Sequence, residues 1–430
     1  MSASAPNNVP TTTPSMELAA VSKAPFYRAP EAVQTIFAVT FAAACGPLLA
    51  GIVLFGWRAI VVTIISVCSC AVIERGYYTV TRTPALMGRS HAYLTGLLLA
   101  LTLPPFAPWY VPLIAAAFAI IVGKVIFGGV GHFLWQPALV GWLAVMVVFP
   151  GVMKQQHWAI LDQDHMVTGD ITLTDPAQKL HDWPRSQTSD NAHAFKVRPP
   201  SAILLELGNS EEPAFSAIAS REHHRPEAYG DDPPPDESTL DLKRLKPLVI
   251  MEMPRIHELL YGARAGAIGE TCVIAIIVFG IYLIYRHYVK WQLPITFILA
   301  AAIVVSIAPI HLARSDGQAF TVWFPLFAEG PDVGFAYVSY QLLCGELMLA
   351  AFFLATEMTC RPSTTGGQVI FGVSCGVLAM CLRIFLQVPY ACFMAILAIN
   401  TFTPTIDALW RPRVLGQRHW LIRLVARKQR

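Results

Sequence analysis

The sequence predicts an all-α polytopic membrane protein of about ten transmembrane helices, with a long extracytoplasmic loop. Hydrophobic residues make up 55% of the 430 positions and charged residues only 14%, and the mean hydropathy is +0.51. Those values exceed what a water-facing surface tolerates. The apolar residues are gathered into runs, several of them long enough to cross a hydrocarbon core of roughly 30 Å. Lys and Arg fall on alternate sides of those runs, as the positive-inside rule requires.

Taken in order, residues 1–30 are rich in Ser, Thr, Pro and Ala and carry no charged segment directly before an apolar core. They read as a disordered cytoplasmic tail ahead of an uncleaved signal anchor. Residues 31–150 follow, with long runs at 33–55, 57–74 and 109–127 and short ones at 91–103 and 137–149. The stretch 151–264 holds most of the Asp, Glu and His, including "GDDPPPDEST". It is too long for a plain connector and too charged and Pro-rich for a large core, so it reads as a partly ordered extracytoplasmic loop over the helices. Residues 265–410 repeat the first pattern, with runs at 267–285, 294–310, 367–386 and 388–405 and a short one at 342–356, before a basic cytoplasmic tail at 411–430. Short runs flanked by Pro, Gly or polar residues suit a transport site, because freed backbone groups there can face a protein-lined cavity instead of lipid.

With both termini cytoplasmic, the inner segments hold Lys23, Arg28, Arg75, Arg82, Arg89, Lys124, Arg286, Lys290 and Arg361, besides the basic tail. The outer "LPPFAPW" holds no basic residue, and "HLARSDGQAFTVWFPLFAEGPDVG" holds one against three acids. The net charge of +3 is thereby explained as topology, with no basic patch left to bind nucleic acid. The nine cysteines lack Cys-x-x-Cys spacing, and Cys68 and Cys70 point about 200° apart on a helix. They read as packing residues, not as a metal site.

Acids at the ends of apolar runs are the first chemical signal. Glu346 and Glu357 bracket "LMLAAFFLATE" and are eleven residues apart. On a regular helix that spacing sets both carboxylates on one face, about 20° out of line and roughly 16 Å apart. Such a face is disfavoured against lipid, and both acids are candidates for an ion pathway, although an interfacial or snorkelled role fits them equally. Asp407 and Glu270 also sit at helix ends, where Glu270 could simply complement a helix N-terminus. Glycines are the second signal. "KVIFGGVGHFLWQPALVGW" sets Gly128, Gly129 and Gly131 in a turn before Pro137, which suits a first helical position. Such a turn can direct backbone N–H groups toward an anionic or aromatic ligand, or can serve close helix packing only.

Five blocks carry a resemblance in chain order: "GRSHAYLTGLLLALTLPPFAPWYV", "KVIFGGVGHFLWQPALVGW", "GAIGETCVIAIIVFGIYLI", "LMLAAFFLATEMTCRPSTTGGQVIFG" and "INTFTPTIDALWRPRVLGQR". They are similar to the RnfD/NqrB family, which contains the D-type membrane component of the Rnf electron transport complex and the B-type component of the sodium-translocating NADH:quinone reductase, the D-type being closer. The resemblance covers about residues 26–418, apart from most of the outer loop. It implies two five-helix halves, 31–150 and 265–410, joined in one bundle. It further implies FMN and/or riboflavin toward the outer side, and electron flow between ferredoxin/NAD or quinone-type carriers coupled to Na⁺ or H⁺ movement. The partners implied are lipid and the other membrane and peripheral subunits of the complex. The location implied is a bacterial inner membrane, multi-pass with both termini cytoplasmic, where the chain works as a non-autonomous subunit of an ion-translocating oxidoreductase.

Transferred residue by residue, the resemblance makes Gly128, Gly129, Gly131, Gln136, Gly269, Glu270 and Thr271 candidates for non-covalent flavin contact, and Glu346, Thr356, Glu357 and Asp407 candidates for the ion pathway. The sequence also departs from the family. The Ser-Gly-Ala-Thr whose Thr carries FMN covalently does not occur; in "RPPSAILLEL" Ile203 stands near its place and cannot form the phosphoester, with Ser201 the nearest hydroxyl. The usual Thr-Asp-Pro reads Thr356-Glu357-Met358, and Asn-Pro-Ala reads Gln136-Pro137-Ala138. Glu346 falls where the family has a small residue. With the anchor lost, two other classes fit the same helices: a small-solute channel or carrier, and a non-redox scaffold that docks a flavoprotein on the long loop.

Overall fold

The computed structural model describes residues 33–81, 91–128, 133–153, 158–161, 194–197, 256–262, 266–313, 319–328 and 330–410. Both tails, most of the outer loop, Gly129, Gly131, Ser201 and Ile203 lie outside the described residues. The main helices are α1 (Val33–Phe55), α2 (Trp57–Thr81), α3 (Ala92–Thr102), α4 (Tyr110–Ile120, continuing as a π-turn Ile121–Val125) and α5 (Pro137–Val148). After the loop come α6 (Val273–Tyr285), α7 (Gln292–Ile307), α8 (Pro331–Leu343), α9 (Leu347–Leu349, continuing as a π-turn Ala350–Leu354), α10 (Thr365–Ile384) and α11 (Ala391–Leu409).

Among the described residues, α1, α2, α10 and α11 are each long and apolar enough to cross a membrane. The pair α8 and α9 passes the same test together but is bent by 59°, and α3, α4, α5, α6 and α7 are shorter apolar helices. Two short strand pairs among the described residues accompany the helices. Strands Trp158–Leu161 and Ala194–Val197 pair antiparallel, as do Ile310–Ala313 and Ala319–Val322. Both pairs lie in connections between apolar runs, where the backbone must satisfy its polar groups without a helix.

Local chemistry explains the ends. Gly56 adopts φ 69° between α1 and α2, a left-handed turn that glycine enters without steric penalty. Pro137 opens α5 as the sequence predicts, and the Gln136 side chain caps it by accepting from Leu139 N at 2.7 Å. Thr364 caps α10 by accepting from Gly367 N at 3.1 Å. α2 runs on to Thr81, past the polar residues that end its apolar run, because Arg75, Gly76 and Tyr77 are exposed and cost the helix no burial.

The short helices are short for a reason that concerns their place. In α3 every residue except Tyr93 is buried, and in α9 with its π-turn all residues from Leu347 to Leu354 are buried. They lie inside the bundle, so neither has to present a full bilayer thickness to lipid. The outer helices carry the exposed apolar surface, with Leu49, Val53, Val72, Val278 and Leu299 all more than half exposed. Small residues bring the backbones together. Gly96 of α3 meets Val67 of α2, where Ser66 Oγ also donates to Gly96 O at 2.9 Å, and Gly141 of α5 meets the Ala115 carbonyl of α4. Close backbone approach is the main source of helix association in lipid, where apolar burial between helices adds little.

The two sides of the chain meet at α1 and α6, through Gly46 against the Phe279 ring. α7 and α10 are joined the same way, Gly376 against the Phe297 carbonyl and Gly372 against Thr296 Oγ1. Gly376→Val is therefore expected to destabilise the protein by about 1–3 kcal/mol, because the opposing atom is backbone and cannot rotate away. The thermal midpoint of the detergent-purified protein checks this; an unaltered midpoint would show that α7 and α10 can separate freely.

Candidate functional site

Two buried polar clusters interrupt the apolar bundle, and each is built at a break in helical geometry. The first lies between α8 and α9. Cys344 is extended and Gly345 takes φ 73°, so the chain turns sharply and delivers Glu346 to the start of α9 with 2% exposure. Glu346 Oε1 accepts from Arg383 Nη2 of α10 at 2.8 Å and from Cys392 N at 3.1 Å. Cys392 N is one of the donors that the first turn of α11 leaves without a helical acceptor, so the carboxylate also caps α11. Arg383 Nη1 donates to Gln341 O of α8 at 2.8 Å. One ion pair thus joins α8, α9, α10 and α11 at the break.

The second cluster lies at the opposite end of α9. Lys124 sits in the π-turn of α4 and is 1% exposed; its Nζ lies 2.9 and 3.0 Å from the two carboxylate oxygens of Glu74 in α2. Gln136, wholly buried at the cap of α5, leaves Nε2 without a hydrogen-bond partner. The π-turn of α9 ends shortly before Thr356 and Glu357, in the connection to α10 and outside the spanning helices. Part of Glu357 reaches the surface, but its Oε2 is buried and has no hydrogen-bond partner. Burial pushes this carboxyl up to about 7, against the pull of the Lys124 ammonium and the Gln136 and Thr359 side chains. His91, in the left-handed region ahead of α3, completes the group: it stacks on Phe37, bonds Tyr93 through Nδ1 at 2.7 Å, and lies within electrostatic reach of Lys124. Both π-turns among the described residues therefore end beside one cluster, and π-turns are rare enough that such a pairing points to function.

The sequence-derived candidates do not form one site. Glu346 and Glu357 are not on one face of one helix, because the segment between them is one α-turn, one π-turn and a loop, to which a constant 100° per residue does not apply. They belong to the two clusters separately. Thr356 Oγ1 donates back to Phe352 O at 2.6 Å. Asp407, near the end of α11, accepts from Ser363 N at 3.1 Å and Ser363 Oγ at 3.3 Å, and so pins the connection that follows Glu357.

Gly269, Glu270 and Thr271 lie in a buried turn before α6, not in the helix that the run at 267–285 suggests. Gly269 N donates to Leu101 O at 2.9 Å and Ile268 N to Leu103 O at 3.2 Å, so this segment seals the end of α3. Glu270 Oε1 accepts from Ala267 N at 2.7 Å, closing its own turn, and lies with Glu346 within electrostatic reach of Tyr390. Gly128 takes φ 98° in an exposed turn with open space around it.

Gly269 and Thr271, where the structure places them, do not form an open flavin cradle. The Gly269 amide is already bonded, a Cβ there would meet the Leu101 side chain at 2.6 Å, and Thr271 is wholly buried. A cavity of about 300 Å³ lies elsewhere, between Trp57, Arg58, Phe106, Trp109 and Tyr110, and includes none of the candidates.

Sequence reasoning missed Arg383 and Glu74 and placed Lys124 in an inner loop, whereas it is buried in a helix. The signal for Arg383 was present: a lone arginine inside an apolar run has to find a carboxylate or carbonyl. For Lys124 the apolar run 109–127 itself already contained the lysine.

The sequence is similar to known proteins over most of its length. The D-type subunit of an ion-translocating oxidoreductase complex from Halorhodospira halophila (strain DSM 244 / SL1) is 27% identical over 402 residues, covering 91% of this chain and 94% of that protein. Another D-type subunit with the same description, from Sodalis glossinidius (strain morsitans), is 28% identical over 87% of this chain and 92% of its own length. The D-type subunit of a proton-translocating ferredoxin:NAD(+) oxidoreductase complex from Clostridium ljungdahlii (strain ATCC 55383 / DSM 13528 / PETC) is 26% identical over 93% of this chain and 96% of its own length. The family described as NQR2, RnfD, RnfE matches residues 20–416, and the chain belongs to that family.

Proposed function

We propose that this chain is the D-type membrane subunit of an Rnf-type ion-translocating oxidoreductase. Near-full-length similarity to three D-type subunits supports the assignment. The four long, one broken and five shorter apolar helices support about ten crossings, and the distribution of Lys and Arg supports cytoplasmic termini in a bacterial inner membrane. Electrons enter and leave through partner subunits, and no flavin step is assigned to the residues of this chain.

The observation that carries the functional reading is the cluster of buried Glu74, Lys124 and Gln136 with the half-buried Glu357, beside the ends of two π-turns. Ionisable groups kept inside a membrane bundle mark ion pathways by default, because each costs desolvation that packing alone would avoid. Glu357 is the group able to change state: Glu74 is committed to Lys124, and Glu346 to Arg383. Thr356 and Asp407 hold the connection that carries it.

Glu357→Gln in the assembled complex is expected to lower ion pumping at least tenfold while electron transfer through the complex stays within about twofold. Vesicles containing the reconstituted complex, with a membrane-potential dye and a donor–acceptor assay run together, measure both. Pumping and electron transfer both at wild-type rates would remove Glu357 from the mechanism.

A further inference from the structure

The groups that face Glu357 are donors. Lys124 presents an ammonium, Gln136 the free side of its amide and Thr359 a hydroxyl. Among the neighbouring oxygens, Gln136 Oε1 faces the cap of α5, accepting from Leu139 N at 2.7 Å, and Thr356 Oγ1 donates back to Phe352 O at 2.6 Å. A hard metal cation requires several oxygen ligands and is repelled by an ammonium and an amide N–H. A proton requires one carboxylate oxygen, and Glu357 Oε2 is buried without a partner.

The charge balance calls for one monovalent cation. Glu74 and Glu357 with Lys124 sum to a single negative charge, which one proton on Glu357 neutralises. The pairing of Lys124 with Glu74 fixes where the ammonium stands, so Lys124 acts on Glu357 as a positioning residue without being consumed. The other titratable groups around it are Cys360, next along the connection, and His91 and Cys70, which reach the cluster through Lys124.

We propose that Glu357 is a proton-binding site, made selective against sodium by Lys124 and Gln136, with the Glu74–Lys124 pair holding the ammonium in place. This rests on Glu357 being an ion-path residue and adds to it which ion that residue accepts.

The test is an infrared pH titration of the carboxylic-acid stretch in the purified complex, in sodium chloride and in choline chloride. The expected result is a protonated-carboxyl band that titrates near neutral pH, is absent in Glu357→Gln, and is the same in both salts. Lys124→Met is expected to raise the proton affinity of that group tenfold or more, since the ammonium that favours the carboxylate is gone, and Lys124→Arg to restore the wild-type midpoint. If Lys124→Met does not assemble, Glu74→Gln/Lys124→Met, which leaves no buried orphan charge, serves the same comparison.

A band that sodium abolishes at constant pH would overturn the proposal, as would the lack of any titrating band or a midpoint indifferent to Lys124. The pumping assay stands apart. Normal pumping by Glu357→Gln beside the expected titration would end the ion-path reading alone, whereas lost pumping beside a sodium-displaced band would end the proton assignment alone.

Discussion

Arg383→Met is expected to destabilise the protein by about 3–5 kcal/mol, and a second change, Glu346→Gln, to return most of that loss. The arginine is 6% exposed and the glutamate 2%, so removing the cation leaves a buried carboxylate held by the Cys392 N–H but without its counter-charge. It also strips Gln341 O, at the end of α8, of the donor that holds the broken helix to α10. An amide at position 346 carries no charge to desolvate and can still accept from Cys392 N. Thermal midpoints of the two single variants and the double variant, in the same detergent, make the measurement. A double variant no more stable than Arg383→Met would show that the charge pair is not the cause.

Lys124→Met is the second large effect, again about 3–5 kcal/mol, because Glu74 would remain 2% exposed inside α2 without its counter-charge. Its distinguishing feature is its partner. Glu74→Gln is expected to rescue stability in the Lys124→Met background and to leave Arg383→Met as unstable as before, since the two clusters lie at opposite ends of α9 and distant sites add independently. Rescue of Arg383→Met by Glu74→Gln would mean that the clusters are coupled through α9. The two ion pairs also differ in consequence. The Glu346 pair ties four helices at a break, whereas the Lys124 pair stands beside a second carboxylate that it does not neutralise.

Much of the architecture was legible in the chain. The apolar runs that became α1, α10 and α11, the Pro137 start of α5, and the opposed directions of Cys68, exposed, and Cys70, buried, follow from local composition and helical period. The short run 342–356 was visible too, but the break at Cys344 and Gly345 falls inside it and was not. What escaped was geometry that a constant helical period cannot express. Two π-turns shift the register of α4 and α9, so a face computed at 100° per residue was wrong for Glu357. The segment before α6 is a turn and not a helix, because the Ile268 and Gly269 N–H groups bond the end of α3 instead of their own helix.

The sequence by itself determined the solvent this chain requires, the order of its apolar segments and the family to which it belongs. Each of these is carried by short stretches whose meaning does not depend on distant residues. Only the tertiary structure decided which charges neutralise which. Lys124 and Glu74 are 50 residues apart and Arg383 and Glu346 are 37 apart, distances over which no local pattern reports pairing. The physical reason is the cost of a buried charge. Inside an apolar bundle every ion has to meet a partner, but the identity of that partner is set by which helices pack side by side.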